Sequence, residues 1–237
     1  MGAARSGRRA RDALRLMHLT TAPEAAYRYG VVFLLALVAV VFFIVAPEGA
    51  ASRVLGLTLT LVMLLSVIVT GRGDVAVRGW AALVAVVLAV GGGIAIAVDD
   101  LPTWLGSAVG VVLVTATIGE VVGGLARLLR DRGVTLQAVA GALAVYLLLG
   151  LFFSELVAVG AHVGSSPFFT QGTDGTQSDH VYYAFTTMTT TGYGDFTPAT
   201  AFGRAIAVVA MLVGQIYLVT VIAMLVGNLR RRRPEAG

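Results

Sequence analysis

The stretch T-M-T-T-T-G-Y-G-D-F-T-P occupies residues 187–198 and decides the fold of this chain. Glycines stand at every second position, Gly192 and Gly194, where the backbone can adopt conformations that a Cβ atom would strain. A carboxylate follows at Asp195. A bare glycine-X-glycine also occurs in tight turns and nucleotide loops, but a nucleotide loop needs a soluble βαβ unit, which does not surround this stretch. The flanking sequence therefore decides what the stretch is used for.

The rest of the chain has the composition of a membrane protein. Of its 237 residues, 57% are hydrophobic and only 13% are charged. Windows without any charge come close to the ~20 residues that a membrane-spanning helix needs. They cover residues 29–47, 54–71, 79–98, 101–119, 133–154 and 205–229. This pattern predicts an all-α integral membrane protein with six transmembrane helices.

The arginines predict how the chain is oriented in the membrane. All 17 basic residues are arginine, and only Arg53 and Arg204 fall outside the two tails and the even-numbered loops. The positive-inside rule then places both termini in the cytoplasm and residues 187–198 on the outer side. Membrane topology also explains the basic charge better than nucleic-acid binding does. The chain has no cysteine, so it has neither disulfides nor thiolate metal sites.

Residues 136–230 resemble the tetrameric potassium channel family. The resemblance rests on a helix-compatible stretch at 179–190, the loop Thr190-Thr191-Gly192-Tyr193-Gly194-Asp195, and the apolar run that follows. It implies a re-entrant pore helix and a selectivity-filter loop between helices five and six, in a homotetramer of the plasma membrane. Carbonyls of Thr190, Thr191, Gly192, Tyr193 and Gly194 would line the path, with K⁺ held at the first four and Asp195 at the outer mouth. The ion is then the permeant species, so no cofactor and no enzymatic activity are expected.

Some positions around the filter depart from the commonest pattern of that family. Thr191 stands where the family usually has Val or Ile, which adds a hydroxyl behind the filter. Thr186 replaces a glutamate that bonds the filter aspartate in a well-known bacterial member. Tyr182 and Tyr183 stand where tryptophans often surround the filter, and ordinary interfacial anchoring explains them nearly as well. We expect Tyr182, Tyr183 and Thr186 to support the filter.

The last apolar run carries the predicted inner helix. Gln215, Leu218 and Ile222 recur at helical spacing, so one face would line a cavity below the filter. The alternative for Gln215 is a hydrogen bond to a neighbouring helix. Gly214 lies where the family has a hinge glycine. Beyond it, Arg230, Arg231, Arg232 and Arg233 are expected to contact anionic lipid.

The chain divides into four predicted parts. A basic cytoplasmic tail (1–28) precedes a four-helix scaffold (29–130) that resembles a voltage sensor, followed by the pore domain (135–229) and a second basic tail (230–237). The fourth span, residues 103–125, contains no arginine, and only Arg127 and Arg130 lie at its inner end. Steep voltage gating needs several charges that cross the field. Glu120 in this span is interpreted as a paired or snorkelling carboxylate.

These patterns predict passive, voltage-insensitive and potassium-selective conduction. A weakly selective cation channel is the nearest alternative, because Thr191 departs from the family pattern. A secondary transporter would be expected to show repeated halves with broken helices, which the sequence lacks, and a non-conducting scaffold remains the other alternative. Residues 163–178 are interpreted as an exposed turret, with His162 and His180 as solvated loop side chains.

Overall fold

The structure, a computed structural model, describes residues 29–70, 75–97, 104–223, 225 and 227, and it is all-helical apart from short connections. Within those ranges the α-helices are α1 (Tyr29–Val45), α2 (Ala50–Thr70), α3 (Val75–Ala97), α4 (Trp104–Arg132), α5 (Leu136–Val163), α6 (Gln177–Met188) and α7 (Ala201–Ile216). A π-helix, Tyr217–Ile222, continues α7 without a break. The two predicted tails, including Arg230, Arg231, Arg232 and Arg233, lie outside the described residues.

Four of the described helices are long and apolar enough to cross a membrane. They are Ala50–Ile68, Trp104–Arg132, Leu136–Val163 and Ala201–Ile222. Two further apolar segments, Tyr29–Val45 and Arg78–Ile94, are shorter than such a span within the described residues. These helices support a membrane protein, and the count of six transmembrane helices stays a prediction.

Helix α5 is the centre of the packing. It contacts α1, α4, α6 and α7, and its small residues let these neighbours approach closely. A Cβ atom at Gly150 would overlap the ring of Phe185, and one at Gly141 would contact the ring of Tyr29 tightly. One hydrophobic core joins α1, α4 and α5, so buried residues on both sides of the predicted boundary at 130–135 share it.

Helix α4 is longer than its apolar window predicts. It runs to Arg132, so the charged residues at its inner end are still helical. Glu120 and Arg127 are both exposed, and no ion pair joins them in the part of the chain that the structure describes. Gly110 of α4 faces Glu155 of α5, whereas a Cβ atom at Gly119 or Gly123 would meet nothing within 4 Å.

The turret differs from the sequence prediction. Phe168 and Phe169 are both only 1% exposed, and they pack with Tyr183 of α6 and Phe196 beyond the loop. Backbone bonds from Thr170 to Thr197 (2.9 Å) and from Ala199 to Phe168 (2.8 Å) fasten the turret to the segment after residue 195. Interpreting all of 163–178 as exposed was wrong. Burial of two aromatic side chains stabilises a packed turret even though the surrounding residues are Gly, Ser and Thr.

Candidate functional site

The loop after α6 has an alternating backbone conformation. Thr190, Gly192 and Gly194 have φ values of 58°, 55° and 81°, in the left-handed region. Among the described residues, Thr190 is the one non-glycine residue with a positive φ. This conformation ends the pore helix at Met188, two residues earlier than predicted, because a left-handed residue cannot continue a right-handed helix. For a β-branched residue it is a strained conformation of the kind found at functional sites.

The amide groups of the loop turn back toward α6. Thr190 N–H donates to the Thr187 carbonyl (3.0 Å), while Thr191 and Gly192 donate to the Thr186 carbonyl (2.9 and 3.1 Å). Thr186 thus contacts the loop through its backbone oxygen. Its hydroxyl donates to the Tyr183 carbonyl at 3.1 Å.

The carbonyl groups of the loop have no such partners. Within the described ranges, no hydrogen bond to the backbone oxygens of residues 190–194 is found, and all five residues are exposed in the single chain. The amides of Thr190, Thr191 and Gly192 are bonded to α6, whereas none of the five carbonyls accepts a hydrogen bond from the described residues. The loop therefore presents a row of free oxygen ligands.

The hydroxyl of Thr191 is satisfied behind the loop. Thr189 Oγ1 donates to the Phe185 carbonyl at 2.7 Å, which uses its proton. The 2.8 Å contact between the Thr189 and Thr191 hydroxyls then has Thr191 as the donor. The polar group that departs from the family pattern is thus tied to the pore helix through Thr189.

Aromatic and polar side chains surround the end of the loop at Asp195, the predicted outer mouth. Tyr182 stacks on Tyr193, with ring centroids 6.1 Å apart and planes 7° apart. Desolvation raises the pKa of Tyr182, and its hydrogen bond to the Asp195 carboxylate raises it further. Tyr182 therefore stays protonated, and its hydroxyl is able to donate to Asp195. On the other side, Gln171 of the turret donates to the Asp195 carbonyl at 2.5 Å.

Tyr183, the second predicted support, lies deeper. It is 4% exposed and packs edge-on against Phe168 and Phe169. It therefore belongs to the core that joins the turret, α5, α6 and α7, whereas Tyr182 is the tyrosine at the mouth.

Two neighbouring residues of α7 contact the inner end of the loop. Gln215 Nε2 donates to Thr190 Oγ1 at 2.9 Å. At Gly214 the helix approaches α6 so closely that a Cβ atom would overlap the Met188 carbonyl oxygen. Close packing against Met188 therefore explains why residue 214 is a glycine, which the sequence did not reveal. The role of Gly214 as a hinge stays a prediction.

The predicted cavity face of the inner helix is not a regular α-helical stripe. The π-helix from Tyr217 to Ile222 makes wider turns than an α-helix, so the i, i+3, i+7 spacing no longer keeps residues in line. Leu218 is half-buried, and Ile222 packs against the core that contains α5. Tyr217 fastens this segment to α5 through a 2.8 Å bond from its hydroxyl to the Ala142 carbonyl.

The beginning of the pore helix is held by buried polar groups. Thr176 and Asp179 form a capping box, and Gln177 Nε2 donates to Glu155 Oε1 of α5 at 3.3 Å. His180 is 2% exposed and bonds the Asp174 carbonyl at 2.8 Å, so interpreting it as a solvated loop residue was wrong. Burial lowers the pKa of His180, although the Asp174 carbonyl opposes the shift. His162, in contrast, is exposed.

Sequence reasoning missed the contacts that hold the loop in place. Gln171 and the two turret phenylalanines contact residues of α6 and of the segment around residues 195–199, and no periodicity connects them. The aromatic pair Phe168-Phe169 inside a polar loop was the available signal, because an apolar pair rarely stays exposed in such a segment.

Comparison with known proteins addresses the same part of the chain. Residues 141–231 match a family model described as an ion channel. No curated protein and no solved structure matches the chain. The match covers α5, the turret, α6, the loop and α7, and it supports an ion channel. Together with the apolar helices it indicates a membrane protein.

Proposed function

We propose that this chain forms a homotetrameric, potassium-selective channel that conducts passively and is insensitive to voltage. The observation that carries the proposal is the row of unbonded carbonyls at residues 190–194, in a loop whose amides at Thr190, Thr191 and Gly192 are bonded to α6. An unpaired carbonyl inside a membrane is unfavourable unless water or an ion satisfies it. A dehydrated potassium ion needs such oxygens in place of its water shell. Thr190, Thr191, Gly192 and Tyr193 are the proposed ion ligands, with Gly194 completing the lining.

One chain supplies only one side of the ion path. The loop is exposed along residues 189–195, and the inner-helix window is 22% buried, against 61% for α5. Apolar side chains dominate the open side of the inner helix. They include Phe202, Val208, Val209, Leu212, Ile216 and Val219. Further copies of the chain around a common axis would cover this face and complete the oxygen cage, so we infer a tetramer.

The pore helix adds an electrostatic preference for cations. Helix α6 ends at Met188, directly below the loop, and the carbonyl end of a helix carries partial negative charge. Four such ends around the axis would stabilise a cation before it loses water. Asp195 at the outer mouth has the same sign and would concentrate cations there.

Voltage insensitivity is supported by the charges on α4. Its arginines lie in its last two turns, and its apolar part carries Glu120 alone among charged residues. Moving one charge across the membrane gains ~2.3 kcal/mol per 100 mV, so steep gating needs several charges within the field. We propose that the first four helices are a scaffold, in the plasma membrane with both termini cytoplasmic.

The test is a bilayer recording from the purified protein with potassium on one side and sodium on the other. We expect the reversal potential to lie near the potassium equilibrium value. A value near zero with clear unitary currents would favour the weakly selective cation channel, for which the hydroxyl of Thr191 is the motive. A complete absence of current from intact tetramers would favour a transporter or a non-conducting scaffold. Chemical cross-linking in mild detergent should stop at four chains.

A further inference from the structure

One side-chain bond connects the inner helix to the innermost part of the loop. Gln215 Nε2 donates to Thr190 Oγ1 at 2.9 Å, across 25 residues of sequence. In the described ranges, no other side-chain hydrogen bond joins α7 to residues 189–195. The contact therefore links the helix that lines the path to the first ligand that an ion from the cytoplasm meets.

Thr190 is the residue of the loop that most needs such a contact. Its φ of 58° is unfavourable for a β-branched side chain, and surrounding bonds must hold it there. Its backbone amide is held by the Thr187 carbonyl at 3.0 Å. Gln215 holds the side chain. Without the amide, the hydroxyl is free to rotate about χ1.

The position of Gln215 is itself fixed. The preceding residue, Gly214, lies against the carbonyl oxygen of Met188, and Met188 is completely buried. The inner helix therefore has no freedom to slide at this level. The amide of Gln215 reaches Thr190 from a rigid base, which is what a precise ligand geometry requires.

We propose that Gln215 is a positioning residue for the innermost cation site, and this rests on the proposed channel function. A threonine hydroxyl has one proton and two lone pairs. The Gln215 amide donates to one lone pair of Thr190 Oγ1 and thereby fixes the rotamer of Thr190. The other lone pair of Oγ1 and the Thr190 carbonyl then face the ion path. The amide oxygen of Gln215 has no partner among the residues described, and it remains available to a hydrated ion in the cavity below.

Gln215 could act by hydrating ions in the cavity or by positioning Thr190, and the two roles predict different results for its variants. If Gln215 only hydrates ions in the cavity, a shorter amide side chain at the same position should have the same effect. If it positions Thr190, the length of the side chain matters, because the donor must reach the hydroxyl. Gln215→Asn keeps the amide but shortens the side chain by one methylene, and Gln215→Leu removes the amide at similar size.

Barium is a suitable probe, since it is close to potassium in size and its double charge binds the same oxygens more strongly. We expect cytoplasmic barium to block the parent channel, and the mean blocked time to fall about two- to tenfold in both Gln215 variants, the equivalent of one hydrogen bond. Thr220→Val is the matched control. Thr220 lies on the same helix, is exposed, and bonds only the Ile216 carbonyl of its own helix. It should leave the block unchanged.

The outcomes are distinguishable. If Gln215→Asn keeps the parental blocked time, Gln215 acts by hydration alone and the inference is overturned. If Thr220→Val shortens the mean blocked time equally, the effect comes from a change in the inner helix and not from the bond between Gln215 and Thr190, and the inference is overturned. For variants that do not conduct, the rise in unfolding temperature that barium gives to the purified protein should be smaller than in the parent. A parent that fails to select potassium would instead contradict the proposed function and leave the barium comparison as a separate result.

Discussion

At the scale of single residues, the loop depends on backbone conformations that few side chains tolerate. Thr190, Gly192 and Gly194 share the left-handed region, and two of the three are glycine. Tyr182 stacks on Tyr193 at the predicted outer mouth, where desolvation and the Asp195 carboxylate both raise the pKa of Tyr182.

Gly194→Ala tests whether the left-handed conformation matters for conduction. Alanine at φ 81° is strained by about 1–2 kcal/mol, so we expect lower stability and altered selectivity. Gly172→Ala is a closely matched control, because Gly172 has φ 79°, also meets nothing within 4 Å, and lies in the turret. Both variants should unfold at lower temperature, whereas the reversal potential should change in Gly194→Ala alone. A parental reversal potential in Gly194→Ala would contradict the assigned role.

Tyr182→Phe removes the donor to Asp195 and keeps the stack on Tyr193. We expect the outer mouth to lose conductance faster when external potassium is withdrawn, because Asp195 then has fewer bonds to hold it. Tyr146→Phe is the control, since the hydroxyl of Tyr146 is buried without a hydrogen-bond partner. Its removal should leave conductance unchanged. Equal behaviour of the two variants would show that the Tyr182 hydroxyl does not support the filter.

At the scale of the elements, helices meet where glycines allow close approach. Gly150 admits the ring of Phe185 between α5 and α6, and Gly214 admits the carbonyl of Met188 between α6 and α7. The turret is a packed element as well, because Phe168 and Phe169 are buried in the core beneath it. The pore helix is thus held at its start by Glu155 and Thr176 and at its end by Gly214.

Gly214→Ala distinguishes a hinge from a packing contact. A methyl group would overlap the Met188 carbonyl, so we expect a loss of about 1–3 kcal/mol in stability together with altered ion selectivity. A hinge alone predicts a lower open probability with unchanged selectivity. Gly227→Ala is the control, because a Cβ atom at Gly227 meets nothing within 4 Å. Thermal unfolding and reversal potentials of both variants, measured side by side, decide between the two roles.

His180 should make the pore helix sensitive to acid. An unfolded chain protonates histidine near its ordinary pKa of 6.5, whereas burial lowers the pKa of folded His180. Between the two values the unfolded state binds more protons, so stability is present above them and is lost as the pH falls. Asp174, Asp179 and His162 are the titratable neighbours. We expect the unfolding temperature to fall between about pH 7.5 and about pH 5.5, and to fall less in His180→Gln than in the exposed control His162→Gln. Equal slopes in the two variants would contradict this.

At the scale of the whole molecule, the pore and the first four helices form one packed structure. Helix α5 shares a core with α1 and α4, while the inner helix leaves most of its surface open. The open surface and the exposed loop lie on the same part of the chain that matches the ion channel family. Movements of the scaffold would therefore reach the pore through α5 rather than through a flexible linker.

Voltage independence is the property that we propose for the assembled channel. Each charge that crosses the membrane contributes ~2.3 kcal/mol per 100 mV to the gating energy. Because the apolar part of α4 carries no arginine, we expect the open probability to vary little between about −100 and +100 mV. Recordings at fixed ion concentrations over this range provide the measurement. If the channel activates steeply and neutralising Arg127 and Arg130 shifts the activation curve, the first four helices sense voltage and the scaffold interpretation is wrong.

The sequence by itself determined the features that depend on composition and local spacing. The charge-free windows predicted apolar helices, and the glycines at 192 and 194 predicted a special loop after a short helix, because hydropathy and backbone freedom are local properties. Only the tertiary structure decided which residues meet. It buried His180 and the turret phenylalanines, joined Gln215 to Thr190, and gave Gly214 a packing partner, because these outcomes depend on how separate helices pack. Local sequence properties indicate whether a residue is apolar or its backbone flexible. The residue that it contacts depends on how the helices cross.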